Sequence, residues 1–343
     1  MPRRPTLPSL GRVSIEIRPV DPHDESALRS WWEVGRSATA VRPGKPWPLW
    51  EQSRVSLPAD NPERGIDLLV AADGDDVVGS GLLTRTLKDN PHTAMAFAYV
   101  EPGREREGIG RAVVGGLEAI ALADGRTTIQ SEAYLPPGGT AAAEHFAAAL
   151  GYAVASRETI KELTLADYAA RRESLVAEAG DAAGYRVVTF DTVCPDEHLV
   201  SFGRLLGMLM DEVPLGDLDL ESSEWTPDRL RAAEQRQVAT GRHVQTALAI
   251  AADGSVVGVS DVRVDDTDHE HAQVGITLVD PAHRGHRLGL LLKLATHDLV
   301  RSTYPSLLTV DTSNAEVNQH MNAVNEALGY RHLETLLELQ KRL

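Results

Sequence analysis

The strongest fold signal in this chain is a strand-to-helix turn, which reads Leu278-Val279-Asp280-Pro281-Ala282-His283-Arg284-Gly285-His286-Arg287-Leu288-Gly289. A helical pattern follows it, with Leu291, Leu292, Ala295 and Leu299 on one face. The first amides of such a helix have no carbonyl partner, so a glycine-containing turn lets several N–H groups converge on one phosphate. Arg284 adds positive charge. The turn therefore indicates a pyrophosphate site, although a plain glycine-rich β-to-α turn has the same pattern.

The pattern around this turn occurs twice. Ala72-Asp73-Gly74 returns as Ala252-Asp253-Gly254, Gly108-Ile109-Gly110 as Arg287-Leu288-Gly289, Leu150-Gly151-Tyr152 as Leu328-Gly329-Tyr330, and Glu158-Thr159-Ile160 as Glu334-Thr335-Leu336. The order is kept at a separation of about 180 residues, which is too long for a solenoid repeat and suits a duplicated domain. We therefore interpret each half as one copy of the same fold.

Composition favours two globular domains. The chain has 343 residues, of which 42% are apolar, enough for a core in each half. Charges and glycines interrupt every apolar run before it reaches the length of a membrane span, and no signal-peptide core follows the first residues. We expect a cytoplasmic protein. Cys194 is the single cysteine, so no internal disulfide can form, and we assign it no role.

The net charge of −16 argues against nucleic acid, which needs clustered Lys and Arg. It favours a neutral or cationic small partner. The acidic stretch from Asp211 to Glu224 is either a solvated loop or the lining of an amine site. We expect a monomer, no membrane contact and no metal site.

Each half predicts the same order of elements, β-α-α-β-β-β-α-β-α-β. The Asp-Gly dipeptides at Asp73-Gly74 and Asp253-Gly254 predict hairpins, and Ala315 to Leu328 predicts a helix closed by Gly329. The boundaries that follow are an N-terminal domain over 1–165, a helical linker over 166–184 and a C-terminal domain over 185–343.

These motifs resemble a known family. A strand, a proline, a turn with Arg-x-x-Gly-x-Gly/Ala entering a helix, a further strand, and an Asn before a helix ending in Leu-Gly-Tyr/Phe are similar to motifs A and B of the GCN5-related N-acetyltransferases, the GNAT superfamily. The layout of both halves is similar to that of mycothiol synthase and related actinobacterial two-domain acetyltransferases. The resemblance implies an α/β fold of mixed α+β character, with two tandem GNAT folds, each a twisted mixed sheet with helices on both faces. It also implies an acyl-CoA, usually acetyl-CoA, bound where the fourth and fifth strands of a half separate.

The resemblance assigns the acyl-CoA contacts residue by residue. In the second half it implies that the pantetheine arm pairs with the backbone near Leu278 and Val279 and contacts Asn318. It implies that the pyrophosphate lies on the amides of Gly285, His286, Arg287, Leu288 and Gly289. Arg284 matches the family's leading arginine, whereas Arg287 replaces its middle glycine. The first half keeps Gly108 and Gly110 but has Glu105 at the leading position, where a carboxylate repels a pyrophosphate. We therefore expect the second half to bind the cofactor and the first half to be degenerate, either weakly active or structural; acyl-CoA binding at Gly108 and Gly110 stays open.

Three residues of the second half are the catalytic candidates. Many family members have a Glu where this chain has Gln273, and an amide cannot accept a proton. His271 lies on the same face of the strand, about 7 Å away, and is near enough to act as a base through a water molecule. Solvent exposure without a role is the alternative for His271. Asn325 stands where the family often has a Tyr that protonates the leaving thiolate, and Ala147 is its counterpart in the first half. We expect Asn325 to hydrogen-bond the thioester or a nearby water.

The leading functional prediction is an acetyl-CoA-dependent N-acetyltransferase. It would transfer the acetyl group directly to a small-molecule amine, a cationic amine included, in a ternary complex. The alternative is a degenerate acyl-CoA-binding sensor or scaffold without turnover, which the missing Tyr and Glu favour. O-acylation and protein acetylation also stay open.

Overall fold

The computed structural model describes residues 15–44, 47–137, 142–180 and 182–343. The strands of the first half are β1 (Ile15–Val20), β2 (Arg64–Asp73), β3 (Asp76–Thr86), β4 (Thr93–Val100), β5 (Thr128–Leu135) and β6 (Ala153–Thr164). Those of the second half are β7 (Tyr185–Asp191), β8 (Arg242–Ala251), β9 (Val256–Asp265), β10 (His271–Val279), β11 (Thr309–Ala315) and β12 (Arg331–Arg342). The helices are α1 (Glu25–Thr39), α2 (Trp50–Ser56), α3 (Ile109–Ala123), α4 (Ala142–Ala149), α5 (Leu165–Ala179), α6 (Leu199–Gly207), α7 (Leu209–Glu212), α8 (Pro227–Ala239), α9 (Leu288–Thr303) and α10 (Gln319–Leu328). Both halves follow the predicted order, with the short helix α7 added in the second.

The two predicted hairpins are confirmed. Gly74 and Gly254 have φ angles of 64° and 88°, in the left-handed region that a glycine adopts without steric cost. They join β2 to β3 and β8 to β9 in antiparallel register.

The last helix begins later than its pattern predicts. Ala315 ends β11 and pairs with Glu158 of β6, so it cannot start a helix. The Asn318 side chain instead accepts a hydrogen bond from the Met321 amide at 3.2 Å and caps α10. Gly329 follows the helix at φ 99°, as predicted.

All twelve strands form one twisted sheet. Its order is β1-β2-β3-β4-β5-β12-β6-β11-β10-β9-β8-β7. Only β4 with β5 and β10 with β11 are parallel neighbours among the described strands. The fold class of two GNAT-like α/β halves is confirmed, with the two sheets fused into one.

The halves exchange their last strands. β12 lies between β5 and β6, and β6 lies between β12 and β11, so each half supplies one strand next to the other half's fifth strand. The buried residue Leu339 of β12 therefore packs in the core of the first half, and Leu163 of β6 packs in that of the second. The predicted domain boundaries at residues 165 and 185 divide the chain in sequence order, and this division does not describe the exchanged strands.

Each parallel strand pair separates after three residues. Thr93–Met95 pair with Thr128–Gln130 in the first half, and His271–Gln273 pair with Thr309–Asp311 in the second. Beyond these residues the strands diverge, and a bulge between Val274 and Thr277 bends β10 further. Two slots result, one in each half, at equivalent positions.

The helical segment between the halves packs against the second one. Tyr168 of α5 is fully buried, and its hydroxyl donates to the Leu294 carbonyl at 3.1 Å and to Asp298 at 3.0 Å, both in α9. Of the described helices, none has the length and apolar character needed to cross a bilayer.

Candidate functional site

The turn before α3 borders a large cavity of the first half. Gly108 has φ 89° and caps α3, whose first residue Ile109 is 1% exposed. A cavity of about 710 Å³ lies over this turn, and its lining includes Val100, Arg106, Gly108, Gly110 and Arg111. Free amides at a helix start beside arginine side chains suit an anionic ligand.

The carboxylates that would repel a pyrophosphate at this turn form hydrogen bonds and ion pairs with neighbouring groups. Glu105 accepts a hydrogen bond from the Gly103 amide at 2.8 Å. Glu107 pairs with Arg104 at 2.9 Å, and Arg104 also reaches Asp73 at 2.9 Å. The expected repulsion is therefore partly compensated within the loop itself.

The slot between β4 and β5 continues from this turn. A cavity of about 230 Å³ lies between the diverging strands and is lined by Ala96, Ala98, Val114, Ala133 and Phe146 among others. Six of its lining residues also line a third, central cavity, namely Thr39, Arg42, Phe97, Tyr99, Glu132 and Tyr134. A molecule seated in the slot of the first half therefore reaches the central cavity.

The central cavity lies where the two halves meet and has a volume of about 610 Å³. One wall is aromatic: Trp31 packs on Trp47 at 5.6 Å between ring centroids, and Trp47 packs on Tyr99 at 4.9 Å. The floor is the exchanged part of the sheet. It contributes five carboxylates, namely Glu132, Glu158, Asp311, Glu334 and Glu338.

Glu158 and Glu334 are equivalent in the internal repeat, and Glu338 is equivalent to Glu162. Glu132 lies directly opposite Glu338 in the β5–β12 pair, and Asp311 lies directly opposite Glu162 in the β11–β6 pair. Like charges in such positions repel one another. Burial raises the pKa of Glu338 to about 7, with Glu158 and Glu132 adding to the shift. Burial, and then the negative charge of Glu162, raises the pKa of Asp311 to about 7 as well. The cavity floor thus gains negative charge near neutral pH.

Arg42 is the cation that neutralises part of this floor. Its Nη2 atom lies 2.6 Å from Glu334, and its Nε donates to the same carboxylate at 3.2 Å. The guanidinium also stacks 3.3 Å from the centre of the Tyr134 ring. Tyr134 in turn donates a hydrogen bond to Glu132. Burial raises the pKa of Glu132, because it disfavours the ionised carboxylate.

The turn of the second half has a different environment. Arg284 pairs with Glu212 of α7 and donates to the Val279 carbonyl at 3.3 Å. Arg287 adopts φ 57° and donates to the Glu178 carbonyl, so its side chain points towards α5. Gly285 has φ 86°, and Leu288 is buried as the first residue of α9. His286 packs against the Tyr185 ring at 5.2 Å between centroids, and the Cβ position of Gly289 is open.

The slot of the second half has a similar volume and is covered by apolar side chains. A cavity of about 280 Å³ lies between β10 and β11. Asn314, Asn318 and Lys293 line its interior, and Leu209, Met210, Val213, Pro214, Leu215, Leu218 and Leu220 line its outer wall. The backbone of Leu278 and Val279 is paired with Val259 and Gly258 of β9. The acidic stretch thus brings apolar residues to this slot.

The three catalytic candidates do not converge. The His271 ring lies 3.1 Å from Asp268, outside the lining of the central cavity, whereas Gln273 lines that cavity. Asn325 is fully buried, and its amide donates to Asn314. Its Oδ1 has no hydrogen-bond partner among the described residues.

Sequence reasoning missed the carboxylate floor. The signal was present, because the repeated blocks Glu158-Thr159-Ile160 and Glu334-Thr335-Leu336 continue to Glu162 and Glu338. In the sequence alone, those blocks indicate only the register of the internal repeat. Their chemical role depends on the strand exchange, which brings both blocks to one face.

Comparisons with known proteins agree with this architecture. Residues 28–152 match the model of the acetyltransferase (GNAT) family, and no curated protein sequence matches the chain. A tandem GNAT protein from the clavulanic acid biosynthesis pathway, in a structure without acetyl-CoA, is 28% identical, with 96% of this chain and 98% of that chain covered and a TM-score of 0.77. A GCN5-related N-acetyltransferase from Sphaerobacter thermophilus has the same fold at 16% identity, with 98% and 97% covered and a TM-score of 0.62. Residues 28–152 therefore match the GNAT family, and the chain over its whole length has the fold of a tandem GNAT protein.

Proposed function

We propose that this protein transfers an acyl group from acyl-CoA, acetyl-CoA being the first candidate, to a small cationic amine. In this proposal the slot of the first half holds the acyl-CoA and the central cavity holds the amine. The observation that carries it is the set of six residues, which includes Arg42, Tyr99, Glu132 and Tyr134, that line both the slot and the central cavity. A thioester in the slot and an amine in the central cavity would both contact these residues.

The assignment of the halves differs from the expectation based on sequence. The turn of the first half borders a cavity of about 710 Å³, and the family model matches this half. In the second half Arg284 is paired with Glu212, and apolar side chains of residues 209–220 cover the slot. Both observations favour the first half as the acyl-CoA site.

The charge of the central cavity supports a cationic acceptor. Five carboxylates form its floor, and Arg42 neutralises only Glu334 among them. The aromatic wall of Trp31, Trp47 and Tyr99 offers ring faces, which attract cations. Polyamines, aminoglycosides and amino sugars have the required chemistry.

Glu132 is the base that this geometry favours. Direct acyl transfer needs a neutral amine, a group that takes its proton, and donors for the tetrahedral oxyanion. The raised pKa of Glu132 makes it a stronger base than an ordinary carboxylate. Tyr134 donates to Glu132 and orients it. The thioester supplies the activated acyl group, and the thiolate leaves.

One observation favours a second candidate function, that of an acyl-CoA sensor without turnover. Asn325 is held by Asn314, and Ala147 carries no hydroxyl, so neither helix offers an acid at the family's Tyr position. An acyl-CoA sensor without turnover would have this pattern. Release of CoA with an amine present separates the two functions.

Two matched variants test the site of binding. Gly110→Asp and Gly289→Asp each add a carboxylate at the second residue of α3 or α9, where a helix start tolerates it. Gly289 has open space at Cβ, whereas a Cβ at Gly110 meets the edge of the Phe146 ring at 3.1 Å and the Val100 side chain at 3.5 Å. In calorimetric titration with acetyl-CoA we expect Gly110→Asp to abolish the tighter binding event and Gly289→Asp to retain it. The reverse result would move the cofactor to the second half.

Turnover is tested with Glu132→Gln. Loss of a general base lowers kcat about 100-fold, whereas loss of a purely structural contact would raise KM as well. We expect the kcat effect with a cationic amine in an assay of CoA release. Unchanged kcat would remove Glu132 from the mechanism.

A further inference from the structure

Lys293 lies in an unusual place for a lysine. It is in the second turn of α9 and is 1% exposed, and it lines the cavity between β10 and β11. Its Nζ has no hydrogen-bond partner among the residues that the structure describes. A buried ammonium without a partner is strongly disfavoured. A chain that keeps a lysine here gains little stability from it.

The first half provides an internal comparison. Gly110 and Gly289 are equivalent in the repeat, so Val114 and Lys293, each four residues further on, are equivalent too. Val114 lines the slot between β4 and β5 as Lys293 lines the slot between β10 and β11. The same position is therefore apolar in one slot and carries an amine in the other.

The groups around Lys293 leave its amine unpaired. Lys161 faces it from β6, but its own Nζ donates to Asn322 at 2.7 Å. Asp261 faces it from β9, outside ion-pair distance, and Asp261 Oδ1 lies 3.8 Å from Arg263 Nε without a hydrogen-bond partner among the described residues. The Tyr330 ring centre lies 5.1 Å from the amine. His297 contacts the backbone carbonyl of Lys293 and not its amine. Glu158 and Glu338 line the far side of the same cavity.

This setting favours the neutral amine. Burial, and then the nearby charge of Lys161, lower the pKa of Lys293 to about 7. About half of the molecules would then carry an uncharged amine at neutral pH, and only this form is a nucleophile. The polar lining from Thr277, Thr312 and Asn314 surrounds the cavity at this point.

We propose that Lys293 is an acyl acceptor within the chain, modified by acyl-CoA in the slot of the second half. This inference rests on the proposed use of acyl-CoA. The Nζ lone pair attacks the thioester carbonyl, the C–N bond forms, and the C–S bond breaks. The thiolate leaves and takes up the proton lost from Nζ, so the products are a neutral amide and free CoA thiol. The amide removes the unpaired amine and places the acyl group in the cavity.

The test is mass spectrometry of the full-length protein after incubation with acetyl-CoA. We expect one added acetyl group at Lys293. Acetylation there prevents tryptic cleavage, so the peptide covering residues 288–301 appears intact. Exposed Lys88 reports non-enzymatic labelling in the same sample. Labelling should reach Lys293 first and become faster as the pH rises through about 7, where the amine loses its proton.

Two variants control the result. Lys293→Val copies the residue of the first half, so it should fold and lose the modification. Lys161→Met removes the neighbouring lysine and should keep the modification at Lys293. Labelling of Lys88 before Lys293, or the same labelling in Lys293→Val, would overturn the inference.

Amine-dependent CoA release, measured on the same samples, separates the two proposals. Release with a cationic amine but no acetyl group on Lys293 overturns this inference alone. Modified Lys293 without amine turnover supports this inference and contradicts the proposed transfer to a small amine.

Discussion

At the scale of single residues, the cavity floor links protonation to stability. Glu338 and Asp311 have pKa values raised to about 7, so the folded chain holds these protons more tightly than the unfolded chain. Their stabilising contribution is complete below about pH 4 and is lost as the pH rises through about 7. We expect Glu338→Gln, which stays neutral, to raise the free energy of unfolding at pH 8 by about 1 kcal/mol, allowing for solvent screening in the cavity. At pH 5 the change should be much smaller.

Thermal unfolding at both pH values measures this effect. Glu173→Gln, in exposed surface of α5, is the matched control for net charge. An equal gain in both variants would contradict the role of the cavity. A cationic amine should stabilise the wild type more at pH 8 than at pH 5, because the floor is ionised at the higher pH.

At the scale of elements, the exchanged strands carry the stability of the opposite half. Leu339 of β12 packs in the first core and Leu163 of β6 in the second. Each Leu→Ala change should cost about 2–4 kcal/mol. Hydrogen exchange should show Leu339→Ala loosening mainly β4 and β5, and Leu163→Ala loosening mainly β10 and β11. Loosening confined to the half that contains the mutated residue in sequence would contradict the exchange.

The elements also show how far sequence reasoning reaches. Local signals predicted the hairpins at Gly74 and Gly254 and the glycine after α10, because each depends on a few neighbouring residues. The start of α10 was wrong, since Ala315 is held in the sheet by a strand distant in sequence. The exchange could not be predicted, because β6 and β12 carry the same pattern and either would fit either position. The carboxylate floor depends on that exchange and was missed for the same reason.

At the scale of the whole molecule, a continuous sheet predicts cooperative unfolding. β12 is bonded to β5 and β6 along most of its length, so neither half can open without breaking pairs in the other. We expect one calorimetric transition whose calorimetric and van't Hoff enthalpies agree. Two separated transitions, with midpoints that shift independently in Leu339→Ala and Leu163→Ala, would show that the halves unfold alone.

The exchanged strands also constrain how this gene can change. Deleting either copy would leave the fifth strand of the other as an exposed edge until its own last strand moved beside it, and an exposed edge of this kind promotes aggregation. The exchange therefore favours keeping both copies: one that loses its chemistry still supplies a strand to its partner. Such a copy is free to acquire new side chains in its disused slot, while its partner depends on it to remain folded.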